Sequence, residues 1–576
     1  MAKCSELKID FKHYLTYEEL TDILKKMANR YPDLAKLVSI GKSPKGRDIW
    51  IVKITSYKTG TDKEKPGFYI DGNTHAAEVT GSMAAVYTIW HLLTKYGEDP
   101  YVTELLNTRS FYINPRVDPD GAELFLTTKY RRTHGGRLYP LSEDEWKREE
   151  GIYEEDIDED GHILQMRIKD PNGDYKVSEK DSRLMLKRDP DETGSSYYRL
   201  YTEGNILNWD GKEIKTAPRK YGLNLNRNFP AEFFPHPQVV GAGPYPLSEP
   251  ETRAVADFMR LHPNIGGLLT YHTYGGLLPR LFDAHPDQYF IDQGWEKDYA
   301  FIKALDKLAE RATGYPAVSS FKEFTRDQKK PRGGTTDCYA YLILGFMGYC
   351  FELWDAAGRA GLGKYRERGG INFQESSLKE EQGLKLLAWN DEALDGNGFS
   401  NWKAFNHPQL GSVEIGGWKK FTIRNPPSGK FLEEECENAF TFSLKHASLL
   451  PSIQIADVKV TSISTGIFRI EVTIENQGFL PTNISQLALK KGLAKPIVVE
   501  IEFNDAELVT GRKWIKIDRL EGRSERLPEM IAQPSASDRT RKTVEWLLKA
   551  KKNSKIKIKA ISEKAGTDKR EIKIEL

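Results

Sequence analysis

The chain has 576 residues, 39% of them hydrophobic and 29% charged, with a net charge of +1. One core cannot serve that length, so two or more domains are expected. The balanced charge gives no electrostatic case for nucleic acid or an anionic membrane surface, and no apolar run is long enough to cross a bilayer.

The N-terminal stretch Met1-Ala2-Lys3-Cys4-Ser5-Glu6 lacks the apolar core of a secretory signal, so a native start at Met1 implies a cytoplasmic protein. Four cysteines (Cys4, Cys338, Cys350, Cys436) form neither a disulfide framework nor a C-x-x-C zinc spacing. Thr16 and Glu19 make a capping box before Leu20, Ile23, Leu24 and Met27, the spacing of an amphipathic helix. Leu37 to Ile40 and Ile49 to Ile54 read as strands around the turn at Ser43-Pro44-Lys45-Gly46. Phe68 to Ile70 is a buried strand, Ser82 to Lys95 an apolar helix, and Phe111 to Ile113 another strand. From about residue 133 to 220 the rhythm breaks into charged, turn-rich sequence, which reads as an insertion. Ser248 and Glu251 form a second capping box for a helix to about Leu261. A strand follows from Gly267 to Tyr271, then a helix from Asp298 to Ala312 stopped at Gly314, and a strand from Met347 to Leu353. After about Pro451, runs such as Phe468 to Ile474 and Ile556 to Ile561 alternate with period two. The expected architecture is an α/β domain over 10–450, with a mixed, mostly parallel central sheet flanked by helices, followed by a β-sandwich over 451–576.

Two short stretches carry the chemistry. Asn73-Thr74-His75-Ala76-Ala77-Glu78 follows the strand ending at Ile70, and Leu268-Leu269-Thr270-Tyr271-His272 closes a later one. Two imidazoles and one carboxylate are the ligands of a catalytic zinc that keeps a position open for water. Glu352 sits on a buried strand, where a carboxylate is costly unless it works. It suits the part of general acid/base, taking a proton from water and passing it to a leaving nitrogen. Guanidinium groups at Arg131 and Arg227 can polarise a carbonyl, stabilise its oxyanion or bind a carboxylate. Asp118 joins Arg131 beyond the strand ending at Ile113. All these positions fall beyond the carboxyl ends of strands, the working rim of an open α/β sheet.

Five segments in order resemble the zinc carboxypeptidases of the carboxypeptidase A type, the funnelin-like metallocarboxypeptidases. They are Asp71 to Glu78, Asn114-Pro115-Arg116-Val117-Asp118-Pro119-Asp120-Gly121, Tyr221 to Phe229 (with Asn224-Leu225-Asn226-Arg227-Asn228), Thr270 to Tyr274, and Phe351-Glu352-Leu353. The resemblance runs over roughly Leu15 to Ala447. It implies a zinc-peptidase-like fold, one zinc per chain on His75, Glu78 and His272, and hydrolysis of the C-terminal bond of a peptide with a free C-terminus. It also implies that Glu352 is the general acid/base and Arg131 the oxyanion arginine. Asn226 and Arg227 would clamp the terminal carboxylate, with Tyr274 a further substrate contact. Asp337 would lie at the floor of the side-chain pocket and Thr336 at its specificity position. Ala77 stands where digestive members carry an arginine, and Lys329 where they carry a mobile tyrosine, so no preferred terminal residue is implied.

Other readings stay open at this stage. Asn226 and Arg227 would equally serve an amidase or deacylase acting on a carboxylate-bearing non-peptide or cell-wall peptide. A non-catalytic binding protein on a peptidase scaffold is a third reading, which the intact ligand set disfavours. In the insertion, Asp156, Asp158 and Asp160 before Gly161 resemble the start of a calcium loop, but the twelfth position is Arg167. Calcium completed from elsewhere and a plain acidic turn both fit.

Overall fold

The computed structural model describes residues 9–139, 148–194, 196–218, 221–325, 327–330, 332–368, 378–526 and 539–575. Cys4, the stretch Met1 to Glu6 and Lys220 fall outside them. Helix α1 (Tyr17–Arg30) begins at the Thr16–Glu19 box, with the Glu19 carboxylate accepting from the Thr16 N–H at 2.8 Å. It buries Leu20, Leu24 and Met27, which share one face at helical spacing.

The central sheet has six strands, β1 (Ala35–Lys42), β2 (Asp48–Ile54), β3 (Gly67–Gly72), β4 (Ser110–Asn114), β5 (Ile265–Thr273) and β6 (Met347–Leu353). Their order is β1-β2-β4-β3-β5-β6. The pairs β1–β2 and β2–β4 are antiparallel, and the three joints from β4 to β6 are parallel. Every residue of β3, β4, β5 and β6 is buried, as a sheet covered on both faces requires. Successive residues face opposite ways. Phe68 meets His446 of the helix Lys430–Ser448, whereas Tyr69 meets Phe258 of the helix Pro250–Leu261. That second helix departs from the expected capping box. Pro250 occupies its first turn, and the Ser248 hydroxyl instead donates to Glu249 Oε1 and accepts from Asn228 Nδ2.

Helix α2 (Val79–Lys95) lies close over the ends of β3 and β5. A Cβ at Gly72 would sit 2.3 Å from the Gly81 carbonyl oxygen, and one at Gly81 would sit 2.8 Å from that of Tyr271. Two glycines thus let the helix that follows the ligand turn touch both β3, which leads into that turn, and β5, which carries His272.

The insertion is more ordered than its sequence suggests. Its strands Gln165–Lys169, Tyr175–Val177, Met185–Lys187 and Tyr198–Thr202 join the hairpin Phe399–His407 and Gly411–Trp418 in a second six-stranded sheet. Met166, Ile152, Val413 and Ile415 form part of its own core. Near the C-terminus, two four-stranded sheets share one cluster, with Ile470, Val472 and Ile474 from one facing Val499, Ile501, Ile556 and Ile558 from the other. This is the expected β-sandwich. It is docked on the α/β core, where the buried Lys564 donates to the Ile265 carbonyl at 2.7 Å and the Gln486 N–H donates to Asp298 at 2.7 Å. Among the described residues, no helix is long and apolar enough to cross a membrane.

Candidate active site

His75 and Glu78 sit in the turn between β3 and α2. Asn73, in the left-handed region at φ 59°, donates its side-chain amide to the His75 carbonyl at 2.6 Å and so shapes that turn. His272 is near the end of β5, in register with Glu352 on the neighbouring parallel strand β6. Parallel register puts the two side chains on one face of the sheet. Segments nearly two hundred residues apart in sequence therefore meet.

The donor atoms converge. His75 Nδ1 lies 2.9 Å from Glu78 Oε1, His272 Nδ1 lies 2.8 Å from Glu78 Oε2, and the two Nδ1 atoms are 3.2 Å apart. Tetrahedral zinc with nitrogens at about 2.0–2.1 Å places them ~3.3 Å apart, so the spacing fits that ion. His75 Nε2 lies 3.0 Å from Asn224 Oδ1, an acceptor that holds the proton there and leaves Nδ1 free to ligate. His272 Nε2 lies 3.2 Å from Thr270 Oγ1. Burial opposes the charge of Glu78, but His75 and His272 more than offset it and hold its carboxyl below the ordinary range. Burial likewise opposes a charged His272, and Glu78 overrides it.

Glu352 is buried, and among the described residues its Oε2 has no hydrogen-bond partner. Burial raises its pKa above the ordinary carboxylate range, and the charge of Glu78 raises it further. A desolvated, unpaired carboxyl beside three metal-ligating groups is suited to proton transfer.

Asn226 and Arg227 lie in a short 3-10 turn, Leu225–Arg227. Asn226 Oδ1 accepts from the Thr336 N–H at 3.0 Å, and its Nδ2 is 3.3 Å from His272 Nε2. Gly334 makes room for this turn, because a Cβ there would sit 2.3 Å from the Arg227 carbonyl oxygen. Arg227 is depressed to about 10 by burial and by Arg332, and Asp283 and Asp337 act against that shift. It therefore stays positive at neutral pH. Asp337 is buried, with burial first and then Asp283 raising its pKa. Tyr274, two residues beyond His272, lies under the Arg424 guanidinium, whose carbon is 5.2 Å from the ring centroid.

The Arg131 guanidinium packs against Phe125 and Phe421 at 5.2 and 5.9 Å, its Nε and Nη1 are buried with no hydrogen-bond partner among the described residues, and burial alone lowers its pKa. In the insertion, Asp156 and Asp158 gather with the fully buried Glu203, not with Asp160. Asp160 accepts from the His162 N–H at 2.8 Å, and Lys129 lies 3.8 Å from Asp156. Asp118 caps the helix Pro119–Thr127 by accepting from the Gly121 N–H at 2.8 Å.

Four neighbours escaped the sequence reading. They are Asn224 behind His75, His134 with its ring 4.9 Å from that of His75, Asp283 beside Arg227 and Arg332, and Arg424. Only Asn224 had a signal, its place in Asn224-Leu225-Asn226-Arg227.

The zinc carboxypeptidase family profile matches residues 20–366, and a domain of unknown function matches 452–573. Carboxypeptidase A2 of Rattus norvegicus is 32% identical over 270 residues, covering 47% of this chain and 46% of that protein. Carboxypeptidase D of Anas platyrhynchos is 32% identical over 115 residues, covering 20% of this chain and 8% of that one. The chain thus spans less than half the length of either relative. A crystal structure of carboxypeptidase A from Helicoverpa armigera aligns with a TM-score of 0.38 at 16% identity, covering 67% of this chain and 75% of that one. That of thrombin activatable fibrinolysis inhibitor aligns at 0.37 and 18%, covering 60% and 67%. The architecture and the donor set define a zinc-peptidase-like α/β protein. The chain belongs to the zinc carboxypeptidase family.

Proposed function

We propose that this chain is a zinc-dependent metallocarboxypeptidase that removes the C-terminal residue of peptides, with one zinc per chain on His75, Glu78 and His272. The observation that carries it is the convergence of those three donors beside Glu352, a buried carboxyl with an unpartnered oxygen. When bound there, zinc supplies Lewis acidity toward a carbonyl and lowers the pKa of a water from ~16 to about 7. Glu352 takes the proton of the attacking water and returns it to the leaving nitrogen, a transfer that its raised pKa favours. Arg227 offers a planar fork of donors to the substrate's terminal carboxylate, and Asn226 stands beside it. Holding that carboxylate sets which peptide bond reaches Glu352, so removal of one residue follows from position.

Peptides of one sequence with free and amidated C-termini test this with the zinc-loaded protein. Cleavage of the free form, with the amide slower by about 100-fold or more, is expected from loss of a charged hydrogen-bond pair. Equal cleavage of both would rule out carboxylate-directed exopeptidase action.

A further inference from the structure

Apart from His75, Glu78 and His272, the fold gathers acidic side chains in the insertion. One oxygen from each of Asp156, Asp158 and Glu203 lies within 4.8 Å of the other two. Antiparallel pairing assembles this trio. Thr202 is in register with Gln165, so Glu203, one residue past the strand Tyr198–Thr202, arrives opposite the end of the loop that holds both aspartates. The Glu203 N–H donates to the Leu164 carbonyl at 3.0 Å, and the Glu203 carbonyl accepts from the Glu155 N–H at 3.1 Å. The main chain therefore fixes where the three carboxylates stand.

Glu203 is fully buried. Its Oε1 accepts from the Ile157 N–H at 2.8 Å and, at 3.5 Å, from that of Asp158; its Oε2 accepts from the Leu164 N–H at 2.8 Å. Accepting at both oxygens suits the ionised form, and a carboxylate with about four lone-pair sites keeps capacity for one more partner. Burial first, and then Asp158, raise its pKa to about 7 against those backbone donors. Asp156 is 8% exposed. Its Oδ2 accepts from the Gly161 N–H at 3.2 Å, but its Oδ1 is buried with no hydrogen-bond partner among the described residues. Among those residues one ion pair reaches the trio, from Lys129 Nζ at 3.8 Å to Asp156 Oδ2, and the Lys129 side chain is 37% exposed. One partly solvated ammonium leaves the three carboxylates repelling each other. A plain acidic turn explains bonds such as that from the His162 N–H to Asp160 Oδ1 at 2.8 Å. It does not explain an orphaned, buried oxygen on Asp156, nor a third carboxylate brought in from another strand.

We propose that Asp156, Asp158 and Glu203 form a second metal site, separate from the zinc donors, that takes calcium. All three donors are carboxylate oxygens, which suit a hard cation better than zinc. Calcium holds oxygens at about 2.3–2.6 Å in flexible geometry, so ligands on opposite sides of it lie up to ~5 Å apart. Magnesium holds them at about 2.0–2.1 Å in a near-ideal octahedron, which fits this loop-borne set less well. The ion meets Asp156 Oδ1, offsets the charge that Lys129 leaves uncompensated, and ties the aspartate loop to the strand that ends beside Glu203. It takes no part in hydrolysis; it stabilises the folded insertion by binding the folded form alone.

The test uses the full-length zinc-loaded protein, dialysed into metal-free buffer at neutral pH. Calcium chloride is titrated in a calorimeter, with magnesium chloride in parallel, and the melting midpoint is read with and without about 2 mM calcium. One calcium per chain is expected, bound at least about tenfold more tightly than magnesium, with the midpoint raised by a few degrees. Asp156→Asn is expected to weaken calcium by about 30-fold or more and to remove the midpoint rise. Without calcium the same variant should melt at or above the wild type, because it sheds an uncompensated charge, and this reversal is one that a merely structural aspartate would not produce. Glu203→Gln is expected to behave alike toward calcium; should it not fold, Asp158→Asn replaces it. Asp160→Asn lies outside the trio and should keep calcium affinity within about threefold. A wild type with no calcium heat and no midpoint change up to about 5 mM would overturn the proposal and leave a plain acidic turn. Wild-type calcium affinity in a folded Asp156→Asn would overturn it too, as would a loss in Asp160→Asn equal to that in Asp156→Asn. None of these readouts is turnover, so failure of the peptidase reading leaves them standing.

Discussion

Glu352 is where a single side chain has most to do. Its carboxyl is buried, and the neighbour with the strongest influence on its charge is Glu78, itself one of the donors. Replacing it with Gln keeps the shape and removes the proton carrier. Glu352→Gln is expected to lower kcat by about 100- to 10,000-fold while zinc stays bound, checked by turnover and metal content on one preparation. The ionised carboxylate is the working form in the free enzyme. Because burial raises its pKa, kcat/KM should fall on the acid side at a pH above the ordinary carboxylate range. Near-wild-type turnover in the Gln variant would remove Glu352 from the mechanism. At this scale the donors were legible in the sequence, because a metal accepts few residue types and each sits in a short local motif. The packing of Arg131 was not legible, because one of its two aromatic partners, Phe421, is remote in sequence.

Elements are held by features that local patterns show unevenly. The box at Thr16 and Glu19 was legible because both partners lie within one turn. The strands of the insertion were not, being three to five residues long and partnered by the distant hairpin 399–418. His446 shows the energetics of the helix Lys430–Ser448. It stacks on Phe442 and meets Phe68 edge-on, and its Nδ1 has no hydrogen-bond partner among the described residues. Burial pushes its pKa down to about 3. The unfolded chain takes up the proton below an ordinary histidine pKa of about 6.5, whereas the folded protein does not until about 3. The unfolded state binds more protons across that window, so stability rises with pH there, is full above about 6.5 and is lost on acidification. Between pH 7 and 5 this one group should cost about 2 kcal/mol. Urea unfolding of the wild type and His446→Leu at both pH values checks it, with a smaller pH-dependent loss expected in the variant. An identical loss in both would assign the acid sensitivity elsewhere.

Taken whole, the molecule is an α/β core with a second sheet built from an insertion and a late hairpin, and with a sandwich docked beside the starts of β3 and β5. Alternation after Pro451 made the sandwich legible, but its docking was not, since Ile484 and Leu487 read as ordinary apolar residues. Both lie in the main hydrophobic cluster of the α/β core. Removing residues 452–576 would strip these and Leu480 from that cluster, at roughly 1.5–3 kcal/mol for each fully buried side chain. The shortened chain should therefore melt well below the full-length protein in a calorimeter. An equal midpoint would show that the sandwich adds nothing to the stability of the core. The proposed chemistry depends on one ion held by three residues. Zinc content after dialysis, measured for the wild type beside His75→Ala, Glu78→Ala and His272→Ala, is the direct measurement. The expected result is about one zinc per wild-type chain and almost none in any variant. A zinc-free wild type, or folded variants that keep the metal, would contradict it.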